Sequence, residues 1–446
     1  MFDLKQYSDR IAVITDSGEK LSYSQLNSLT NISVHRGLVF CMAKNTLDSL
    51  VGYITCLQSG LPIVMLDGSK HKEVIDALID VYQPEYIWEG GLKETGLKGG
   101  DIYPDLALCL TTSGSTGSPK FVRLSVKNIL ANAESIAQYL EIDENERPLT
   151  TLPMYYSYGL SVINSHLIKG ATILLTDKTY AQREFWNFMK EQRATSMAGV
   201  PYTYELLRRL RFFRMDLPDL KVMTQAGGKL NKDIAKEYID YAAANGKKFY
   251  VMYGQTEATA RMSYLPWESA QEKYASIGVA IPGGKFSLID TDGNEIKEPN
   301  VDGELIYSGS NVSLGYAECR EDLMKGDENH GLLHTGDIAR RDEDGFYYIT
   351  GRLKRFVKIW GNRCNLDATE QLVKSITTSC ACAGVDDKIT VFVTQEGLEQ
   401  SIISLLSEKT GLNNRAFEVR VIDAIPVKDS GKIDYPVLQQ MLNEDK

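Results

Sequence analysis

Apolar and polar residues alternate along this chain in blocks. Short apolar runs of strand length are followed by stretches in which apolar residues return at helical spacing. Over most of the length this predicts layered α/β structure rather than a helical bundle or a sandwich. Residues 49–59 carry a helical pattern, Gly60 ends it, Pro62 prevents its resumption, and the apolar run 63–66 reads as a short buried strand. A second step begins with the apolar run 106–110. A glycine-rich turn, a run at 121–124 and a helix follow, the helix capped by Ser125 and carrying Ile129, Leu130, Ala133, Ile136, Ala137 and Leu140 on one face. The turn therefore hangs between strands.

From about residue 285 the pattern changes to short alternating runs at 286–289, 304–308 and 346–349, punctuated by Asp-Gly pairs at 292/293, 302/303 and 344/345. Such pairs mark hairpins, so 285–351 is expected to form a β-rich subdomain closing a large N-terminal α/β domain of residues 1–351. A basic stretch, 352–358, comes next. Residues 352–446 are long enough for a small mobile α+β domain, with the boundary at 352–354.

At 446 residues the chain exceeds what one hydrophobic core usually organises, in keeping with two or more domains. Its net charge of -10 argues against general binding of nucleic acid, so any phosphate site must be local. No apolar run approaches the ~20 residues of a membrane span, and residues 1–10 are too charged for a signal peptide, so a cytoplasmic protein is expected. The seven cysteines, an odd number spread over the chain, are expected to be reduced. Cys380 and Cys382, with no second pair and no nearby histidine, should pack rather than bind metal.

The sharpest chemical feature is Thr111-Thr112-Ser113-Gly114-Ser115-Thr116-Gly117-Ser118-Pro119-Lys120. Glycines let backbone N–H groups turn toward an anion, hydroxyls add donors and the lysine adds a point charge, a combination suited to polyphosphate. It is not a Walker loop: the G-x-x-x-x-G-K-[ST] spacing is absent and a strand, not a long helix, is expected after the lysine.

This decapeptide resembles the phosphate-binding signature of adenylate-forming enzymes, the family of acyl-CoA synthetases, firefly luciferase and peptide-synthetase adenylation domains. Further matches follow in the family's order. Tyr253-Gly254-Gln255-Thr256-Glu257 resembles Y-G-x-T-E; Gly303-Glu304-Leu305 with Gly309 and Gly315-Tyr316 is similar to G-E-L…G…G-Y; Thr335-Gly336-Asp337 matches T-G-D. Gly351-Arg352-Leu353-Lys354 and the following Val357 to Arg363 resemble the hinge motif, and Ser430-Gly431-Lys432-Ile433-Asp434 resembles S-G-K-I-D. The resemblance runs from Leu21 to Leu438.

The resemblance implies an ATP-dependent, AMP-forming carboxylic acid–thiol ligase acting through an acyl-adenylate. A carboxylate attacking the α-phosphorus of ATP is an anion approaching an anion, so the site must neutralise charge and hold the pair in line. By resemblance, Thr112, Ser113, Gly114, Thr116, Gly117 and Lys120 would hold the β- and γ-phosphates, Thr256 would touch the α-phosphate, Glu257 would bind Mg²⁺ and Tyr253 would lie against adenine. Asp337, read as a turn aspartate beside Gly336, would take the ribose diol, with Arg352 adding donors to ribose or phosphate. Lys432 would bridge the acyl carboxylate and the α-phosphate. Lys354 would be the hinge on which the C-terminal domain turns between half-reactions, and Gly361 would let a pantetheine arm pass the backbone.

The family pattern is not followed everywhere. Tyr156 stands where many acyl-CoA synthetases have a histidine, Trp360 and Tyr435 replace common arginines, and residues 365–370 match the usual acidic stretch poorly. The acid is expected between segments 155–160, 197–204 and 226–230. These contain no aspartate to pair with an α-ammonium group, which favours a neutral aliphatic or aromatic acid over an amino acid. The Gly-Arg-Leu-Lys hinge and Val200-Pro201-Tyr202 favour CoA as the thiol. An acyl- or aminoacyl-carrier-protein ligase using a phosphopantetheine thiol is the alternative enzyme, and a nucleotide-binding protein without turnover is the alternative of another class.

Overall fold

The computed structural model describes residues 2–30, 32–69, 72–111, 120–353, 355–360, 362–427 and 433–443. They form two compact units, one of residues 1–286 and 307–333 and one of 287–306 and 334–446.

The first unit is built on two large sheets. One runs, among the described residues, in the order Gly315–Ala317, Phe121–Ser125, Leu106–Thr111, Ile63–Asp67, Val39–Ala43, Tyr86–Trp88, Leu92–Glu94. Its central strands are parallel and buried on both faces. Cys41, Met65, Leu108, Leu110 and Leu124 enter one core, while Phe40, Val64, Leu66, Cys109 and Phe121 enter another on the opposite face. Burial on both faces demands apolar residues without alternation, which is why these strands read as plain apolar runs.

The second sheet contains the parallel strands Ser196–Gly199, Val222–Gln225 and Lys248–Tyr253. Both sheets contribute to a shared core with the helices Leu47–Gln58 and Ser157–Leu167. The expected steps are present: helix Leu47–Gln58, a left-handed Gly60 at φ +68°, then strand Ile63–Asp67. Helix Val126–Tyr139 starts at Ser125, which forms a capping box with Asn128.

The second unit carries most of a sheet ordered Gly284–Ile289, Gly303–Gly309, Leu332–Arg341, Tyr347–Arg352. Asp292-Gly293 and Asp344-Gly345 lie in turns, their glycines at φ +86° and +87°. Asp302-Gly303 does not, because Gly303 opens a strand where an added Cβ would fall 2.7 Å from the Ile289 carbonyl oxygen. A three-stranded sheet, Cys380–Val385, Lys388–Val393 and Phe417–Val421, packs with helices Leu366–Val373 and Glu399–Thr410. Cys380 and Cys382 are buried in it as free thiols, and no metal-binding cluster exists among the described residues. No described helix is long and apolar enough to cross a membrane.

Candidate active site

Strands Ser196–Gly199, Val222–Gln225 and Lys248–Tyr253 are parallel and in register, so the segments that follow them leave the same edge of the sheet. Carboxyl ends of parallel strands are where α/β sheets place ligands, because the backbone there turns away and leaves a crevice. Residues 197–204, 226–230 and 253–257 converge at this edge from distant parts of the chain.

Tyr253 closes its strand and accepts a hydrogen bond at its hydroxyl from Gln255 Nε2 at 3.4 Å. The chain then doubles back tightly. A Cβ on Gly254 would fall 1.8 Å from the Ala260 carbonyl oxygen, and Thr259 is held at φ +68°, a conformation that a β-branched residue adopts only under constraint. The constraint is visible. Thr259 Oγ1 donates to the Asn311 carbonyl at 2.7 Å, Asn311 Nδ2 donates to the carbonyls of Ala258 at 2.9 Å and Arg261 at 3.1 Å, and Asn132 Nδ2 donates to the Arg261 carbonyl at 2.9 Å. The Ser313 N–H also donates to the Glu257 carbonyl at 2.8 Å.

Within this clamp the hydroxyls of Thr256 and Ser157 lie 3.1 Å apart, and Glu257 Oε1 accepts the Tyr316 hydroxyl at 2.7 Å. The Lys120 ammonium sits 3.7 Å from the centre of the Tyr316 ring, a favourable cation–π placement. Burial, reinforced by Glu257, pushes the Tyr316 phenol well above its ordinary pKa, so it stays a neutral donor. Its strand, Gly315–Ala317, pairs antiparallel with Phe121–Ser125 just beyond Lys120. Arg123, wholly buried, fixes that pairing: it donates to the carbonyls of Tyr316 at 2.9 Å and Leu314 at 3.0 Å and meets Glu328 at 2.5 Å.

Three of the expected residues, Lys120, Thr256 and Glu257, are thus gathered in one place, with Tyr253 on the same loop as the last two. Thr112, Ser113, Gly114, Thr116 and Gly117 lie outside the described residues. The ends of their loop, Thr111 and Phe121, pair across an antiparallel ladder. Lys354, Gly361 and Lys432 also lie outside the described residues.

In the second unit Asp337 is not in a turn. It pairs with Arg352 across strands Leu332–Arg341 and Tyr347–Arg352, and the positive φ of Gly336 (+68°) is absorbed within the strand. Arg352 Nε donates to Asp337 Oδ1 at 3.0 Å.

Tyr156, in the place of the family histidine, is half-buried. An added Cβ on Gly227 would fall 2.5 Å from its hydroxyl, and burial pushes its phenol up to about 12, so it offers a proton without titrating near neutrality. Tyr435, in the place of an arginine, donates to both oxygens of the buried Glu370 at 3.0 and 3.2 Å, while the Arg355 guanidinium stacks on its ring at 3.5 Å.

The sequence places Tyr316 within a motif and Ser157 within the acyl segment 155–160 but gives neither a role of its own, and it does not single out Thr259, Asn311 or Asn132. The two asparagines act through contacts across more than forty residues, for which a single sequence carries no local signal.

A family model described as AMP-binding enzyme matches residues 93–317. Luciferin 4-monooxygenase of Nipponoluciola cruciata is 23% identical, over 95% of this chain and 79% of that protein. Oxalate–CoA ligase of Arabidopsis thaliana is 28% identical, over 75% of this chain and 67% of that protein. Among solved structures, ATP-bound MatB from Rhodopseudomonas palustris superposes with a TM-score of 0.80 at 21% identity, over 99% of this chain and 98% of that one. The o-succinylbenzoate CoA synthetase of Bacillus subtilis with its acyl-adenylate intermediate gives a TM-score of 0.79 at 19% identity, over 98% and 97%. These structures share the fold of this chain.

Proposed function

The chain belongs to the AMP-binding enzyme family, and on that premise we propose that it is an ATP-dependent, AMP-forming acid–CoA ligase. A carboxylate oxygen of the acid attacks the α-phosphorus, pyrophosphate leaves, and the acyl-adenylate then gives its acyl group to a thiol with release of AMP. The observation that carries this reading is the cluster of Lys120, Tyr316, Glu257, Thr256 and Ser157, in which a cation, a carboxylate and three hydroxyls meet at the carboxyl edge of the sheet. Such groups, fixed before the reaction, stabilise charge that moves from the attacked phosphorus to the leaving pyrophosphate. The CoA ligases among the relatives support CoA as the thiol.

Mg²⁺ fits the donor set. Glu257 uses Oε1 toward Tyr316, which leaves Oε2 for a cation, and with no acidic cluster among the described residues the remaining ligands would be phosphate oxygens and water. That is the usual coordination of Mg²⁺ in nucleotide sites. Bound there, it would neutralise phosphate charge.

In this reading Tyr253 lies against adenine, Asp337 and Arg352 take the ribose, Lys432 bridges the carboxylate and α-phosphate, and the loop 112–120 holds the departing phosphates. Lys354 is the hinge, and Gly361 serves the thiol step. Tyr156, a fixed neutral donor over Gly227, orients the acid in place of the family histidine.

ATP–pyrophosphate exchange with a panel of carboxylic acids tests the first half-reaction, and thioester formation with CoA against a purified carrier protein tests the second. Exchange with at least one acid, and acyl transfer to CoA, are expected. Transfer to carrier protein alone would reassign the acceptor, and no exchange with any acid would sink the ligase reading. Lys120→Ala should lower the rate of pyrophosphate release about 100-fold, the scale seen when one preorganised donor is removed from charge stabilisation. An unchanged rate would remove the loop from the mechanism.

A further inference from the structure

Lys120 and Glu257 carry opposite charges in one small site, yet among the described residues they make no ion pair with each other. Tyr316 touches both. Its hydroxyl donates to Glu257 Oε1 at 2.7 Å, and its ring centre lies 3.7 Å from the Lys120 ammonium. Two opposite charges that both reach one side chain attract each other, and if they met they would largely cancel, leaving neither for a polyanion and its cation. A half-buried phenol standing between them prevents that.

The placement follows from strand register. Gly315–Ala317 pairs antiparallel with Phe121–Ser125 so that Tyr316 is opposite Val122. Lys120, two residues before Val122, falls on the same face by the alternation of strand side chains and becomes the diagonal neighbour of Tyr316. A slip of one residue would turn Tyr316 to the other face. The structure blocks such a slip. Gly315, at φ +122°, lies where an added Cβ would fall 2.6 Å from Glu328 Oε2 and 2.9 Å from Arg123 Nη2, and the Ala317 carbonyl accepts the Tyr82 hydroxyl at 2.8 Å. Three residues before Tyr316, the Ser313 N–H holds the Glu257 carbonyl. One short segment therefore grips Glu257 by backbone and by side chain.

We propose that Tyr316 is a positioning residue for the ATP half-reaction. Its hydroxyl fixes Glu257 through Oε1 so that Oε2 is presented to the cation that accompanies ATP, while its ring seats the Lys120 ammonium for the phosphates and keeps it off the carboxylate. Hydroxyl and ring thus do separable jobs. The role in turnover rests on the ligase reading, but the effect on nucleotide binding is measurable without it.

Tyr316→Phe keeps the ring and removes the hydroxyl, and Tyr316→Leu removes both. Each folded protein is titrated with ATP by calorimetry, once with MgCl2 and once with EDTA. Tyr316→Phe should bind ATP about 10-fold more weakly with Mg²⁺, because a hydrogen bond to a charged group is lost, and as tightly as the wild type in EDTA, where the carboxylate has no cation to hold. Tyr316→Leu should lose about 10-fold in both conditions, because Lys120 loses its seat and falls onto Glu257. In a Glu257→Gln background the Phe substitution should add no further loss, as expected of a hydroxyl that acts through that carboxylate.

Wild-type affinity of Tyr316→Phe with Mg²⁺, or of Tyr316→Leu in EDTA, would overturn the proposal. Equal losses with and without Mg²⁺ in Tyr316→Phe, or a full further loss in the Glu257→Gln background, would also overturn it and leave Tyr316 a structural residue. In pyrophosphate exchange, Tyr316→Phe should need about 10-fold more Mg²⁺ for its half-maximal rate. Absence of exchange with every acid in the wild type would count against the ligase reading itself and leave the binding comparison to decide the role of Tyr316.

Discussion

Replacing Lys432 with alanine is expected to slow acyl-adenylate formation by about 1,000-fold while sparing the conversion of supplied acyl-adenylate and CoA to thioester. The lysine itself lies outside the described residues, but its flanks do not. Val427 and Ile433 pair as an antiparallel bridge, the Asp434 N–H donates to the Pro426 carbonyl at 2.8 Å, and Tyr435 is locked to Glu370 and Arg355. The described flanks on either side, Val427 and Ile433, are thus fixed to one another. Arg355, which stacks on Tyr435, is the sequence neighbour of the proposed hinge Lys354.

Lys354→Pro, which freezes that backbone, should show the opposite pattern, with adenylation retained and thioester formation lost. Separate assays of the two half-reactions check both variants. Equal loss of both steps in both folded variants would leave domain rotation unsupported.

The second large effect is expected at Gly254. An alanine there would place its Cβ 1.8 Å from the Ala260 carbonyl oxygen and 2.7 Å from the Arg261 Cα, all backbone atoms that no rotamer change can move aside. The loop has little freedom to yield, since Asn311, Asn132 and Ser313 hold the stretch from Glu257 to Arg261. Gly254→Ala should therefore displace Thr256 and Glu257 and lower pyrophosphate release by about 100-fold, the scale associated with misplacing reacting groups by roughly 1 Å. Gly100→Ala, where an added Cβ meets nothing within 4 Å, is the control and should leave the rate alone. Wild-type rates in Gly254→Ala would show that the tight return at Ala260 does not position the site.

The sequence by itself determined the elements. Strands buried on both faces must be apolar throughout, so 63–66 and 106–110 are visible as runs, and helix starts are local chemistry, so Ser125 announces its own cap. It also determined which motifs are present, because glycine-hydroxyl-lysine composition and Y-G-x-T-E are properties of adjacent residues.

Only the tertiary structure decided how those motifs become a site. The strand Gly315–Ala317 lays itself beside Phe121–Ser125 and brings Tyr316 between Lys120 and Glu257. Gly336 bends inside a strand instead of making a turn, and Asp302-Gly303 opens a strand where Asp292-Gly293 makes a turn. Whether a buried arginine has a carboxylate beside it was equally out of reach, since Arg123 and its Glu328 are 205 residues apart. The physical reason is the same in each case. Local conformation is set by neighbours in sequence, whereas charge balance and the meeting of functional groups are set by neighbours in space.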